Sequence, residues 1–210
     1  MKQILNFNLY EFLTEKIING FEKHMDLTQV EKDKLYYGVI SVLMNIIKGI
    51  IILSIAIYLG IFKEILIMTV LVAMIRLTSA GLHAKNNLIC TLTTLITYVG
   101  GTFLSVNYSI EFNIAFIICI GLTVLLFIYS PADTESRPII GKEKRKKLKV
   151  QTLVIAIIIL AVNLFILNTI IINLTMFAML FQTISILPCT YKLLKRSWAN
   201  YEKYEQKSTR

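Results

Sequence analysis

Six apolar runs, at residues 36–60, 65–80, 88–106, 114–129, 153–167 and 174–194, leave this chain few folds to choose from. A helix needs roughly 20 residues to cross about 30 Å of hydrocarbon. Each run meets or nearly meets that length, the shorter ones extending into flanks such as Ile61, Phe62, Ile110, Phe112, Val150 and Gln151. The runs are continuous and rich in Ile and Leu, without the strict alternation of a transmembrane barrel strand. Of the 210 residues 56% are hydrophobic and only 17% charged, which excludes an ordinary soluble domain. The expectation is an all-α integral membrane protein of about six transmembrane helices.

The cations orient it. Lys2, Lys16, Lys23, Lys32 and Lys34 precede the first run; Arg76 and Lys85 lie in the joint where the second run gives way to the third. Arg137, Lys142, Lys144, Arg145, Lys146, Lys147 and Lys149 follow the fourth, and Lys192, Lys195, Arg196, Lys203, Lys207 and Arg210 close the chain. With six spans all four groups fall on one face, so the positive-inside rule puts both termini, the 76–87 joint and the 131–149 loop in the cytosol. Before the first run, Ile4, Leu5, Leu9, Phe12, Leu13, Ile17, Phe21 and Met25 recur at steps of three and four. That pattern predicts an amphipathic helix on the inner leaflet, or a docking surface for an amphipathic peptide, and it lacks the unbroken apolar core of a signal peptide. The organisation is therefore 1–34, an amphipathic membrane-surface segment; 35–196, a six-span membrane domain; and 197–210, a polar basic cytosolic tail.

Within the apolar runs two polar features stand out. Lys48 sits near the middle of the first, one turn after Asn45; an ion at that depth costs about 2.5–3.5 kcal/mol on insertion scales, so it snorkels, pairs or faces a hydrated cavity. Thr91, Thr93, Thr94 and Thr97, then Gly100 and Gly101, form a hydroxyl-rich and small-residue stripe of the kind that lets helices approach.

The reactive residues gather at the joint from Arg76 to Cys90. The chain has two histidines and three cysteines, and the joint holds His83 and Cys90 seven residues apart. On one continuous helix these would be separated by about 10 Å, too far for a hydrogen bond. The sequence supplies breaks at Ser79-Ala80-Gly81 and Lys85-Asn86-Asn87, with Asn87 as an N-cap that puts Cys90 in the first turn of the next helix. Unpaired N–H groups and the helix dipole there favour a thiolate and can hold an oxyanion. His83 would take the thiol proton and return it to a leaving amine, with Lys85 nearby. The plain alternative is a histidine and a cysteine that meet at a loop–helix junction by chance. Cys119 and Cys189 read as small buried hydrophobes. His24, on the N-terminal segment, reads as a solvated surface residue. Metal, cofactor and nucleic-acid chemistry have no motif to rest on: the chain lacks His-Glu-x-x-His, a Gly-x-Ser-x-Gly elbow and a phosphate-cradling loop.

The loop after the fourth run carries two prolines and the acids Asp133 and Glu135, candidates for orienting His83 as a third group does in triads. The cationic run at 142–149 is a topology signal that also suits anionic lipid or an acidic peptide tail.

Arg76, Gly81-x-His83-Ala84 and Cys90, followed by Tyr129-Ser-Pro-Ala-Asp-Thr-Glu-Ser-Arg-Pro-Ile139 and the lysine-rich run, resemble the accessory gene regulator protein B (AgrB) family over about residues 5–196. These are multi-pass membrane peptidases of Gram-positive quorum sensing. The resemblance implies a homodimer and a cysteine endopeptidase with Cys90 as nucleophile and His83 as general base and acid. Its substrate would be a precursor peptide with an amphipathic leader, a central nucleophilic side chain and an acidic tail. Cys90 would release the tail and hold the rest as a thioester, which the internal nucleophile closes to a thiolactone or lactone. Arg76 would hold a carboxylate or support the loop, Gly81 would permit a turn, and Lys85 would meet the acidic tail. Two other classes compete: a small transporter or channel lined by Lys48, Arg76 and the hydroxyl stripe, and a non-catalytic membrane scaffold whose basic loops recruit a partner.

Overall fold

The computed structural model describes residues 4–23, 25, 28–82, 87–108, 110–135 and 138–208, with the side chains of 4–9, 87, 88, 203 and 206–208 excepted. His24, His83, Lys85 and Arg137, and the side chain of Asn87 read as a cap, lie outside the described residues. The chain divides into two compact units, Met1–Ile55 and Ala56–Arg210.

The first unit holds α1 (Ile4–Glu22) and most of α2 (Gln29–Tyr58). A capping box starts α2: the N–H and hydroxyl of Thr28 both donate to Glu31 Oε2, at 2.9 and 2.7 Å. Lys32 pairs with Glu22 at 2.7 Å, tying the start of α2 to the end of α1. On α1, Thr14 and Ile18 are buried while Phe12, Ile17 and Phe21 are exposed. Lys48 lies partly buried on α2. That helix stops at Tyr58 because Gly60 turns to a φ of 69°.

The second unit is a bundle of α3 (Phe62–Ser79), α4 (Asn87–Leu95), a π-helical turn (Ile96–Gly100), α5 (Gly101–Asn107), α6 (Phe112–Tyr129), α7 (Lys142–Ile166), α8 (Thr169–Ile186), α9 (Pro188–Leu193) and α10 (Tyr201–Ser208). Five helical stretches among the described residues are long and apolar enough to cross a membrane: Gln29–Tyr58, Ile89–Asn107, Phe112–Tyr129, Lys142–Ile166 and Thr169–Ile186. The second apolar run forms α3, whose 18 residues include Lys63, Glu64 and Arg76, so its apolar length falls short of theirs.

Two boundaries and one burial differ from the sequence reading. The cations at 142–149 are helical, forming the first two turns of α7 rather than a loop. The run at 174–194 is two helices, because Pro188 has no N–H to continue α8 and instead begins α9. Cys189, read as buried, is consequently exposed on α9, whereas Cys119 is buried as expected.

α8 is the post around which this unit is built, packing against α3, α5 and α6, with α7 against α3 and α6. Asn168 caps it, its Oδ1 accepting from the N–H groups of Ile170 and Ile171 at 2.9 and 3.1 Å. Ile172, Met176, Met179 and Ile186 face Ile75, Cys119, Leu122 and Leu126 in one cluster, and Leu174 and Ala178 join Met68 and Val72 in another. Close packing rather than water exclusion holds helices together in lipid, and small residues allow it. Gly101 is one such place: a Cβ there would come within 3.1 Å of Phe181 and 3.2 Å of Met68. Two asparagines inside pair across elements. Asn173 takes the Ile110 N–H at 3.0 Å and donates to the Ile110 carbonyl at 2.7 Å, and Asn163 donates to Thr175 Oγ1 at 3.0 Å.

Candidate active site

Where α3 ends, the backbone leaves the helical region abruptly: Ala80 has φ 54° and ψ −134°, and Gly81 has φ 122°. For a residue with a side chain such a conformation costs about 1–3 kcal/mol and survives only when neighbours hold it. Three elements do so. The Gly81 N–H donates to the Ala132 carbonyl at 2.9 Å, and the Ala132 N–H to the Ser79 carbonyl at 3.0 Å, a parallel bridge between the joint and the loop after α6. The Leu82 N–H donates to the Ser185 carbonyl on α8 at 3.1 Å. Arg76 Nη2 donates to the Leu82 carbonyl at 3.0 Å. Gly81 is also pinned sterically, since a Cβ would sit 2.7 Å from Ser185 Oγ and 3.2 Å from Ile186 Cγ2.

Gln182 completes the grip from α8. Only 2% exposed, it donates through Nε2 to Ser79 Oγ at 2.7 Å and to the Ala80 carbonyl at 2.6 Å. Neither Gln182 nor Ser185 emerges from the sequence reading as a site residue. The one available signal was an amide inside an apolar run.

Cys90 lies partly buried in the first turn of α4, as expected, with its carbonyl accepting from the Thr94 hydroxyl at 2.7 Å. The neighbouring hydroxyl of Thr93 turns back in the same way to the Ile89 carbonyl, so these two bond within their own helix. Cys119 and Cys189 lie elsewhere, on α6 and α9.

Asp133, 3% exposed, spends its carboxylate on the far end of the chain: Oδ1 accepts the Asn200 N–H at 2.9 Å and Oδ2 the Tyr201 N–H at 2.8 Å, so it caps α10. Tyr191 donates its hydroxyl to the Asp133 carbonyl at 2.9 Å. Glu135 is half exposed and pairs with Arg196 at 3.9 Å, and it accepts the Ser197 N–H at 3.3 Å. Arg145 clamps α10 from α7, forking onto both Glu205 oxygens at 2.7 and 3.1 Å with its guanidinium 3.8 Å over the Tyr201 ring. Beside this clamp is a cleft of about 230 Å³ whose lining includes Tyr129, Asp133, Lys146, Lys149 and Trp198.

The Arg145 fork, with the Gly141 N–H, holds the Glu205 carboxyl below the usual carboxylate range. A carboxyl lowered on folding contributes docking that is fully present above its unfolded pKa of about 4.3, and this is lost as pH falls through the lowered folded value. Trp198 is the only tryptophan, so its fluorescence reports the docking of this segment. The emission should stay constant from neutral pH to about 5 and change below about 4. Glu205→Gln should show the undocked emission at neutral pH; an unchanged spectrum in that variant would argue against the clamp.

These features define a class: a multi-helix membrane protein with a gripped non-helical joint leading into a helix-initial cysteine. The family model for accessory gene regulator B matches residues 14–186. The chain is 34% identical to an AgrB-like protein of Clostridium acetobutylicum over 199 residues, 95% of each chain. It is 39% identical to an AgrB-like protein of Listeria innocua over 177 residues, 82% of this chain and 84% of the relative. With accessory gene regulator protein B of Staphylococcus intermedius it shares 27% over 174 residues, 83% of this chain and 92% of that one. No solved structure matches. The chain belongs to the accessory gene regulator B family.

Proposed function

We propose that this protein is a membrane cysteine endopeptidase that removes the C-terminal tail of an autoinducing-peptide precursor and promotes its cyclisation for quorum sensing. The observation that carries the reading is Cys90: partly exposed, in the first turn of α4, one short segment beyond a joint held by three elements. Family membership supports the same chemistry.

In this mechanism the Cys90 thiolate attacks the carbonyl before the tail, and the N–H groups at the start of α4 receive the oxyanion. As the C–N bond breaks, His83 returns the thiol proton to the departing amine, leaving a thioester on Cys90. The substrate's internal thiol or hydroxyl then attacks that carbonyl. The C–S bond breaks, a thiolactone or lactone closes and Cys90 is restored. A thioester keeps enough activation for ring closure without ATP, provided water stays away until the nucleophile arrives.

Both termini and the joint face the cytosol, and a precursor held on the inner leaflet by its leader meets Cys90 beside that joint. Lys85 and the cationic first turns of α7, with Lys146 and Lys149 on the cleft beside α10, attract the acidic tail. Mass spectrometry of the purified protein with synthetic precursors tests the reading. A released tail and a closed ring are expected; folded protein that leaves every acidic-tailed precursor intact overturns it.

A further inference from the structure

Gln182 stands out in α8. A buried amide in an apolar helix costs free energy unless its hydrogen bonds are made, and this one spends its Nε2 on Ser79 Oγ and the Ala80 carbonyl. Ser79 in turn donates its hydroxyl to the Ile75 carbonyl at 2.8 Å, so the acceptance from Gln182 completes an ordered relay rather than competing with it. Packing of α8 on α3 does not need the amide, because Met68, Val72, Leu174 and Ala178 supply an apolar contact elsewhere along the pair. What the amide reaches is the place where α3 stops and the backbone enters positive φ.

We propose that Gln182 is a positioning residue for the cysteine chemistry. By fixing Ser79 and Ala80 it sets the path of the chain out of α3 into the segment that carries His83 and on to Cys90. The proposal rests on the reading of Cys90 as nucleophile and His83 as its base. A misplacement of reacting groups by about 1 Å can cost on the order of 100-fold in rate without weakening substrate binding, so the signature is a loss in kcat with KM retained.

The test is saturation kinetics of tail release from a synthetic precursor, using full-length protein in detergent. The variants are Gln182→Leu, Gln182→Glu, Ser79→Ala and Cys90→Ala. Gln182→Leu should lose about ten- to a hundredfold in kcat with KM within about twofold. Gln182→Glu, close in shape but unable to donate when ionised, should fall in the same direction. Ser79→Ala keeps the Ala80 bond and should lose only about threefold, on the scale of one neutral hydrogen bond. Wild-type kcat in either folded Gln182 variant overturns the proposal, as does a loss confined to KM or to the yield of folded protein. If neither variant elutes monodisperse, Ser79→Ala decides, an unchanged kcat overturning it. Cys90→Ala separates the two levels: its continued cleavage sinks the reading of Cys90 as nucleophile on which the proposal rests, whereas its inactivity beside a fully active Gln182→Leu sinks only the role of Gln182.

Discussion

The Cys90→Ala protein should release no tail from a precursor peptide, a loss of at least about 10⁴-fold, because removing a covalent nucleophile leaves only binding and oxyanion stabilisation. Insertion, elution and precursor binding should be unaltered, since Cys90 is partly exposed and the bond it accepts from Thr94 runs through its backbone carbonyl. In the wild-type protein, rapid quenching should trap an adduct on Cys90 that hydroxylamine removes, as a thioester requires. His83→Ala should slow formation of that adduct without changing where it forms. Cleavage by Cys90→Ala at more than a few per cent of the wild-type rate would move the nucleophile elsewhere.

Gly81→Ala should be the most damaging small substitution near the joint. At φ 122° a side chain costs about 1–3 kcal/mol in backbone strain alone. The new methyl would also lie 2.7 Å from Ser185 Oγ, which is not free to swing away because it donates to the Gln182 carbonyl at 2.8 Å. Thermal unfolding in detergent should shift down by several degrees, at about 2–4 °C per kcal/mol for a chain of this size, and tail release should fall with it. Adding Ser185→Ala should recover the part due to the clash and leave the part due to φ. A Gly81→Ala protein with wild-type melting and cleavage would mean that the joint adapts freely.

The sequence carried the breaks better than the grips. Ser79-Ala80-Gly81 announces the end of α3 because glycine tolerates the backbone that follows, and Cys90 was locatable because a polar triplet precedes the next apolar run. Gln182 and Ser185 lie more than a hundred residues from the joint they hold, and no local pattern links them to it. The same is true of Asp133, whose bonds run to Asn200 and Tyr201: a carboxylate beside two prolines looks like a candidate partner for a histidine until the long-range contact is seen. The error over Cys189 was local. Hydropathy runs smoothly through residues 174–194, and only the missing N–H of Pro188 divides them.

The grip on the joint also sets an order of events during synthesis. Ser79, Ala80 and Gly81 leave the ribosome about a hundred residues before Gln182 and Ser185 exist, and Asp133 waits 67 residues for Asn200 and 68 for Tyr201, whose N–H groups it accepts. A nascent chain therefore carries its cysteine in the membrane well before the turn in front of it can be held. Completion of the grip belongs to the last stretch of translation, when the final helices dock.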